Sequence, residues 1–207
     1  MKKLKPIGVY RKCDWVTMTG TASAITGIIL TVNGKTMYAV FCLIFSAICD
    51  AFDGVVARRF KSLKDYEVYG IELDSLNDAV AFGILPMMIT LNICPGSIWL
   101  YIICVFFSIA GIIRLAYFNM LTTTKKGSSK EFIGLPITAS AIIVPLVYFI
   151  TFLVGKEYRE IVFPITLLIT GILFISPFKL KKPSSREKAA LAILGIISVI
   201  VVLLKMF

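Results

Sequence analysis

Ile48-Cys49-Asp50-Ala51-Phe52-Asp53-Gly54-Val55-Val56-Ala57-Arg58 and, twelve positions on, Gly70-Ile71-Glu72-Leu73-Asp74-Ser75-Leu76-Asn77-Asp78 decide how this chain folds. Each belongs to an apolar run, over 37 to 57 and 71 to 92, long enough to cross a hydrocarbon core of about 30 Å. Together they nevertheless carry Asp50, Asp53, Glu72, Asp74 and Asp78. A carboxylate inside a bilayer costs several kcal/mol, roughly 2.5 to 3.5 on insertion scales, so a cluster of them implies cations that neutralise it. Helical spacing divides the five. Asp50 and Asp53 at i, i+3 share a face, as do Gly70, Asp74 and Asp78 at i, i+4, i+8, whereas Glu72 points elsewhere. The first run leaves at Arg58 and the second returns after a short polar turn, so the spacing predicts two antiparallel helices whose four aspartates meet at one depth. Alone these groups repel one another and take up protons; with one or two divalent ions they form a compact oxygen-ligand site.

The rest of the chain suits that setting. It has 207 residues, 58% of them apolar and 16% charged, with a mean hydropathy of +0.89. Such values exclude an ordinary soluble domain. Further apolar runs cover 16 to 32, 97 to 120, 133 to 154, 161 to 178 and 189 to 206. The expectation is an all-α polytopic membrane bundle of about seven spans, with six and eight as the neighbouring counts. The first span is diluted by Thr17, Thr19, Gly20, Thr21 and Ser23, which suits a buried, polar-faced helix. Positions 1 to 15 lack the continuous apolar core of a signal peptide. No soluble domain or internal repeat interrupts the chain, so 1–207 reads as one membrane-embedded domain.

Charge orients the bundle. Most of the 22 lysines and arginines fall on one side: Lys2, Lys3, Lys5, Arg11 and Lys12; Arg58, Arg59, Lys61 and Lys64; Lys125, Lys126 and Lys130; Lys179, Lys181, Lys182, Arg186 and Lys188. Lys35, Lys156, Arg159 and Lys205 fall on the other. The positive-inside rule then sets the N-terminus and the aspartates towards the cytoplasm, the expected location being a prokaryotic plasma membrane. The net charge of +10 follows from these border clusters and does not mark a nucleic-acid-binding face. Anionic lipid headgroups are the partners it suits, at about 1 kcal/mol per cation. The five cysteines, Cys13, Cys42, Cys49, Cys94 and Cys104, are odd in number and unclustered, and read as packing residues.

Small residues lie among the acids. Gly54 and Ala57 sit a turn from the carboxylates and Gly70 heads the opposing face. They suit either close helix packing or the approach of a flat ligand to the backbone. Arg58 suits either a phosphate contact or a membrane-border anchor.

The pattern Asp50-x-x-Asp53-Gly54-x-x-Ala57-Arg58 followed by Gly70-x-x-x-Asp74-x-x-x-Asp78 resembles the signature of the CDP-alcohol phosphotransferases, integral membrane enzymes, at eight specified positions. Two departures stand beside the match: the turn over 59 to 69 is longer than is usual in the family, and the first span lacks the Asn that many relatives carry before its threonines. The resemblance implies transfer of a phosphatidyl group from CDP-diacylglycerol, or an ether-lipid analogue, to an alcohol, with release of CMP. It implies that Asp50, Asp53, Asp74 and Asp78 hold two divalent ions, and that Gly54, Ala57, Arg58 and Gly70 receive the CDP donor. Hard oxygen ligands favour Mg²⁺ or Mn²⁺, with Ca²⁺ as a further choice, over zinc. Because the chain has no histidine, the base must be a carboxylate, a lysine or the substrate itself, and Asp78 is the candidate. A homodimer is expected from the family.

Two further segments, Arg114-Leu115-Ala116-Tyr117-Phe118-Asn119 and Phe132-Ile133-Gly134-Leu135-Pro136, are similar to the branch that uses L-serine as acceptor. Arg114 is a charge inside a span, suited either to a substrate carboxylate or phosphate or to a salt bridge with an aspartate. Asn119 and Lys130 complete the expected acceptor pocket, while Gly134 and Pro136 suit a structural turn into the next helix. Glycerol 3-phosphate, inositol phosphate and amino alcohols are the alternative acceptors. A cation transporter is the rival from another class, disfavoured by the arginine fixed beside the acidic pairs.

Overall fold

A computed structural model describes Gly8 and residues 11–59, 64–124 and 131–181 of the chain, without the side chains of residues 12, 13, 54–59, 64–67, 122–124, 131–133, 156, 180 and 181. The expected span over 189 to 206, Lys130, and the side chains of Ala57 and Arg58 lie outside this set.

The described chain is a helical bundle, as the apolar runs predict. Helix α1 (Lys12–Val32) pairs with α2 (Thr36–Arg59), and α3 (Lys64–Asp78) continues through a π-helical turn, Ala79–Ile84, into α4 (Leu85–Ile93). Then follow α5 (Ile98–Thr124), α6 (Ser140–Val154) and α7 (Arg159–Ile175). Among the described residues five segments are long and apolar enough to cross a membrane: Asp14–Val32, Thr36–Asp53, Val68–Ile93, Ile98–Leu121 and Ile137–Val154. Helix α7, with 17 residues, stands at the lower limit of about 17 for a crossing.

Local chemistry sets the helix ends. Asp14 reaches back to the Arg11 backbone N–H at 3.0 Å, which caps α1 and places an acid at the positive end of its dipole. At the other end Gly34, with φ +73°, reverses the chain, and the Lys35 N–H closes the turn on the Leu30 carbonyl at 2.8 Å. α1 can lie close to α2 because Gly20 faces Cys49; a Cβ at Gly20 would come within 3.1 Å of the Cys49 Cβ.

Phe82, Leu85, Ile89, Phe107, Phe163, Leu167 and Phe174 fill the core between α4, α5 and α7. Ile102, Val105, Ile109, Ile112 and Ile113 of α5 are exposed, as a lipid-facing surface requires. The π turn directly follows Asp78 and is anchored from two neighbours. Pro86 has no N–H for the Phe82 carbonyl, and Ser140 Oγ of α6 lies 2.9 Å from that oxygen instead; Ser108 Oγ of α5 bonds the Gly83 carbonyl at 3.1 Å.

A short antiparallel ladder, β1 (Glu131–Ile133) with β2 (Lys179–Lys181), adds a detail of regular structure that the apolar pattern does not announce. Beyond it Gly134 has φ +73°, and a Cβ there would lie 2.9 Å from the Phe174 carbonyl oxygen. Its N–H donates to the Phe178 carbonyl at 2.7 Å and the Leu135 N–H to the Leu173 carbonyl at 3.0 Å. Gly134 and Pro136 thus build the turn that leads into α6. Cys42, Cys49, Cys94 and Cys104 are free thiols, in keeping with a packing role.

Candidate active site

Helices α2 and α3 bring three carboxylates together. Asp50, Asp74 and Asp78 each present an oxygen within 4.8 Å of the others. Asp78 is buried, and Asp50 and Asp74 are half-buried. Asp53 is buried one turn along α2 and close enough to Asp74 for a side-chain contact, but it stands outside this closest group. Its Oδ2 accepts a hydrogen bond from Thr17 Oγ1 of α1 at 2.8 Å. The expected four-carboxylate cluster is therefore three converging groups and one tethered beside them. Glu72 is exposed and apart, as its spacing predicts.

Asp74 Oδ1 and Asp78 Oδ1 are buried without a hydrogen-bond partner. Unpaired acceptors in a membrane-spanning segment are costly. Among the described residues the one ion pair is Arg11 with Asp14, so no lysine or arginine neutralises Asp50, Asp74 or Asp78 there. Three hard oxygen donors, two of them with an orphaned atom, fit a divalent cation of the Mg²⁺, Mn²⁺ or Ca²⁺ type.

Several contributors around this group escaped the sequence reading. Asn77, next to Asp78, is 2% exposed; its Oδ1 accepts from Thr21 Oγ1 at 2.8 Å, while its Nδ2 is buried with no partner. A buried amide donor beside a carboxylate group is suited to a ligand oxygen. Thr17 and Thr21, which dilute the first span, are therefore its inward polar face. Arg11 is the second addition. Its guanidinium grips Asp14, with Nη2 to Oδ1 at 2.7 Å and Nε to the two oxygens at 3.2 and 3.1 Å. The same guanidinium lies against Gly70, where any Cβ would collide with Nη2. The bare backbone at Gly70 thus faces an arginine in this conformation. The available signal was the Arg11-x-x-Asp14 spacing at the start of a span, read only as a border cation.

Arg114 is 5% exposed in α5. Its Nε donates to the Leu135 carbonyl at 3.1 Å, the oxygen positioned by the Gly134 turn, and its guanidinium carbon stands 5.6 Å from the Phe118 ring centre. Among the described residues it forms no salt bridge with an aspartate. Asn119, two residues beyond Tyr117, donates to Ser75 Oγ at 2.8 Å and so ties α5 to the acidic helix α3 beside Asp74. Of the donor-side residues Gly54, Ala57 and Arg58, the backbone continues α2 past Asp53.

A family model described as CDP-alcohol phosphatidyltransferase matches residues 13–174. The chain is 29% identical over 172 residues to an archaetidylserine synthase of Methanothermobacter thermautotrophicus, covering 79% of this chain and 66% of that protein. It is 34% identical over 170 residues to a CDP-diacylglycerol–serine O-phosphatidyltransferase of Methanocaldococcus jannaschii, covering 82% and 73%. A protein of the latter name from Helicobacter pylori is 38% identical over 145 residues, covering 67% and 58%. The matched part thus spans from somewhat over half to nearly three quarters of these relatives.

Proposed function

The chain belongs to the CDP-alcohol phosphatidyltransferase family, and from that premise we propose that it transfers a phosphatidyl group, or its ether-lipid equivalent, from a CDP-linked donor to the hydroxyl of L-serine. The observation that carries the reading is the trio Asp50, Asp74 and Asp78, with oxygens within 4.8 Å of one another and two buried atoms unpaired, inside a family match that includes both helices. Serine as acceptor is supported by the names of the relatives and by Arg114, a cation buried in α5 that forms no salt bridge with an aspartate among the described residues.

In this reading Asp50, Asp74 and Asp78 would hold divalent metal, with Asp53, tethered by Thr17, as the fourth ligand. A divalent cation held there would supply Lewis-acid stabilisation of the phosphoryl oxygens. The serine oxygen bonds to the phosphorus that carries the lipid; the bridging P–O bond to the cytidine phosphate breaks, and CMP leaves with the bond's electron pair. Asp78 receives the hydroxyl proton. Gly54, Ala57, Arg58 and Gly70 border the donor, Arg11 supplies a cation against Gly70, and Asn77 Nδ2 offers a donor to a ligand oxygen. Arg114 takes the serine carboxylate, with Asn119 and Lys130 beside it. The distribution of border cations supports an acidic end that faces the cytoplasm of a prokaryotic plasma membrane. The family's homodimer is the working assembly, with 1–207 as one domain.

The purified protein with CDP-diacylglycerol and Mn²⁺ or Mg²⁺ should release CMP when serine is added. Turnover with glycerol 3-phosphate, inositol phosphate or an amino alcohol, and none with serine, would reassign the acceptor. Arg114→Ala should raise the serine concentration for half-maximal rate roughly tenfold, as loss of a charge-assisted hydrogen bond implies. An unchanged serine requirement removes Arg114 from the acceptor site.

A further inference from the structure

The end of the bundle opposite the carboxylates holds a cavity of about 540 Å³. Gly34 and Lys35 in the α1–α2 turn, Asn92 at the end of α4, Tyr148 of α6, and Arg159 and Glu160 opening α7 line it. The size is that of a small-ligand site, and none of these residues takes part in the phosphotransfer chemistry.

Arg159 gives the cavity its character. Its Nε donates to Thr151 Oγ1 at 3.3 Å, and its guanidinium carbon lies 4.8 Å from the centre of the Tyr148 ring. One edge of the planar group is therefore fixed and one face covered. Nη2 is buried and has no hydrogen-bond partner. Glu160 is adjacent in sequence yet forms no ion pair with it. A buried guanidinium nitrogen without an acceptor is costly, and the acceptors that match a guanidinium best are phosphate and carboxylate oxygens. Lys35 adds a second cation to the same wall.

Position narrows the ligand. The cavity lies where α2 begins at Thr36 and α4 ends at Ile93, both limits of membrane-crossing segments. This is the depth of lipid headgroups. Val32 and Tyr38 are exposed beside it, as are Val154 and Tyr158 at the α6–α7 connection, so an apolar surface stands next to the cations. A soluble anion has no use for that surface, whereas acyl chains do.

We propose that this cavity binds the headgroup phosphate of a membrane phospholipid in the leaflet opposite the carboxylates, with Arg159 and Lys35 as the phosphate contacts. Glu160 is placed for a headgroup amine, which makes phosphatidylethanolamine the suitable probe. The inference stands apart from the serine reading, because CMP release is measured at the other end of the molecule.

Wild type, Arg159→Gln, Arg159→Lys and Lys35→Gln proteins in detergent would be titrated with phosphatidylethanolamine and, separately, with diacylglycerol, and the lipid adducts counted by native mass spectrometry. Inorganic phosphate would serve as competitor. The expected result is a saturable phosphatidylethanolamine adduct whose affinity falls roughly tenfold or more in Arg159→Gln and less in Lys35→Gln, with part retained in Arg159→Lys. Diacylglycerol should give no comparable adduct. Equal binding by wild type and Arg159→Gln, or equal binding of diacylglycerol, overturns the site. Displacement of the lipid by an equal concentration of inorganic phosphate overturns the lipid as its source. If Arg159→Gln shows no folded thermal transition, Lys35→Gln decides, because Lys35 is exposed; undiminished affinity there also overturns the proposal.

Discussion

Asp78 joins two roles at one residue: it contributes an oxygen to the trio and is the candidate base. Asp78→Asn removes the proton acceptor while keeping the side chain's shape, so CMP release should fall by roughly 10²- to 10⁴-fold. Thermal protection by CDP-diacylglycerol should persist in that variant, whereas Asp50→Asn or Asp74→Asn should lose metal and donor protection together. Full activity in Asp78→Asn would remove it as base. Asp53 invites a different test, since its oxygen is held by Thr17 Oγ1 at 2.8 Å. Thr17→Val deletes that donor at nearly constant volume and should cost about 1.5–3 kcal/mol, the range for a hydrogen bond to a charged group. Denaturation in detergent measures this, and no loss of stability would make the bond incidental. The sequence reading found the aspartates because i, i+3 and i, i+4 spacing is local. It missed Thr17, Asn77 and Arg11 as site residues because each acquires its role from a partner on another helix.

The α3–π–α4 span carries Asp74 and Asp78 of the trio, and its irregular turn is fastened by hydroxyls from α5 and α6. Ser140→Ala leaves the Phe82 carbonyl, already deprived of a donor by Pro86, without its side-chain partner; the expected loss is about 1–3 kcal/mol. Unaltered thermal unfolding of that variant would mean the turn holds itself. Most elements here were legible as apolar runs: the span foreseen over 71 to 92 is the segment Val68–Ile93, and that over 97 to 120 is Ile98–Leu121. The π turn was not, because Pro86 near a helix start reads as ordinary and its consequence is settled by serines far along the chain. The β1–β2 ladder was equally hidden, since three residues on each side carry no periodicity.

At the scale of the whole molecule, the two ends of the bundle carry opposite chemistry. One end collects carboxylates that need cations; the other presents Arg159 and Lys35 to a cavity that needs an anion. Both are unbalanced charges at a membrane border, which a purely structural scaffold does not require. A transporter would use the carboxylates to pass an ion, whereas a phosphatidyl transferase uses them to hold a donor's diphosphate, and the two differ in what is released. The decisive measurement is CMP release by the purified protein in lipid nanodiscs with CDP-diacylglycerol and serine, before and after chelation with EDTA and then with Mn²⁺ restored. Release that requires serine, stops on chelation, returns with Mn²⁺ and is absent in Asp74→Asn is the expected result; release that persists without divalent metal, or no release with serine under any metal, would contradict it.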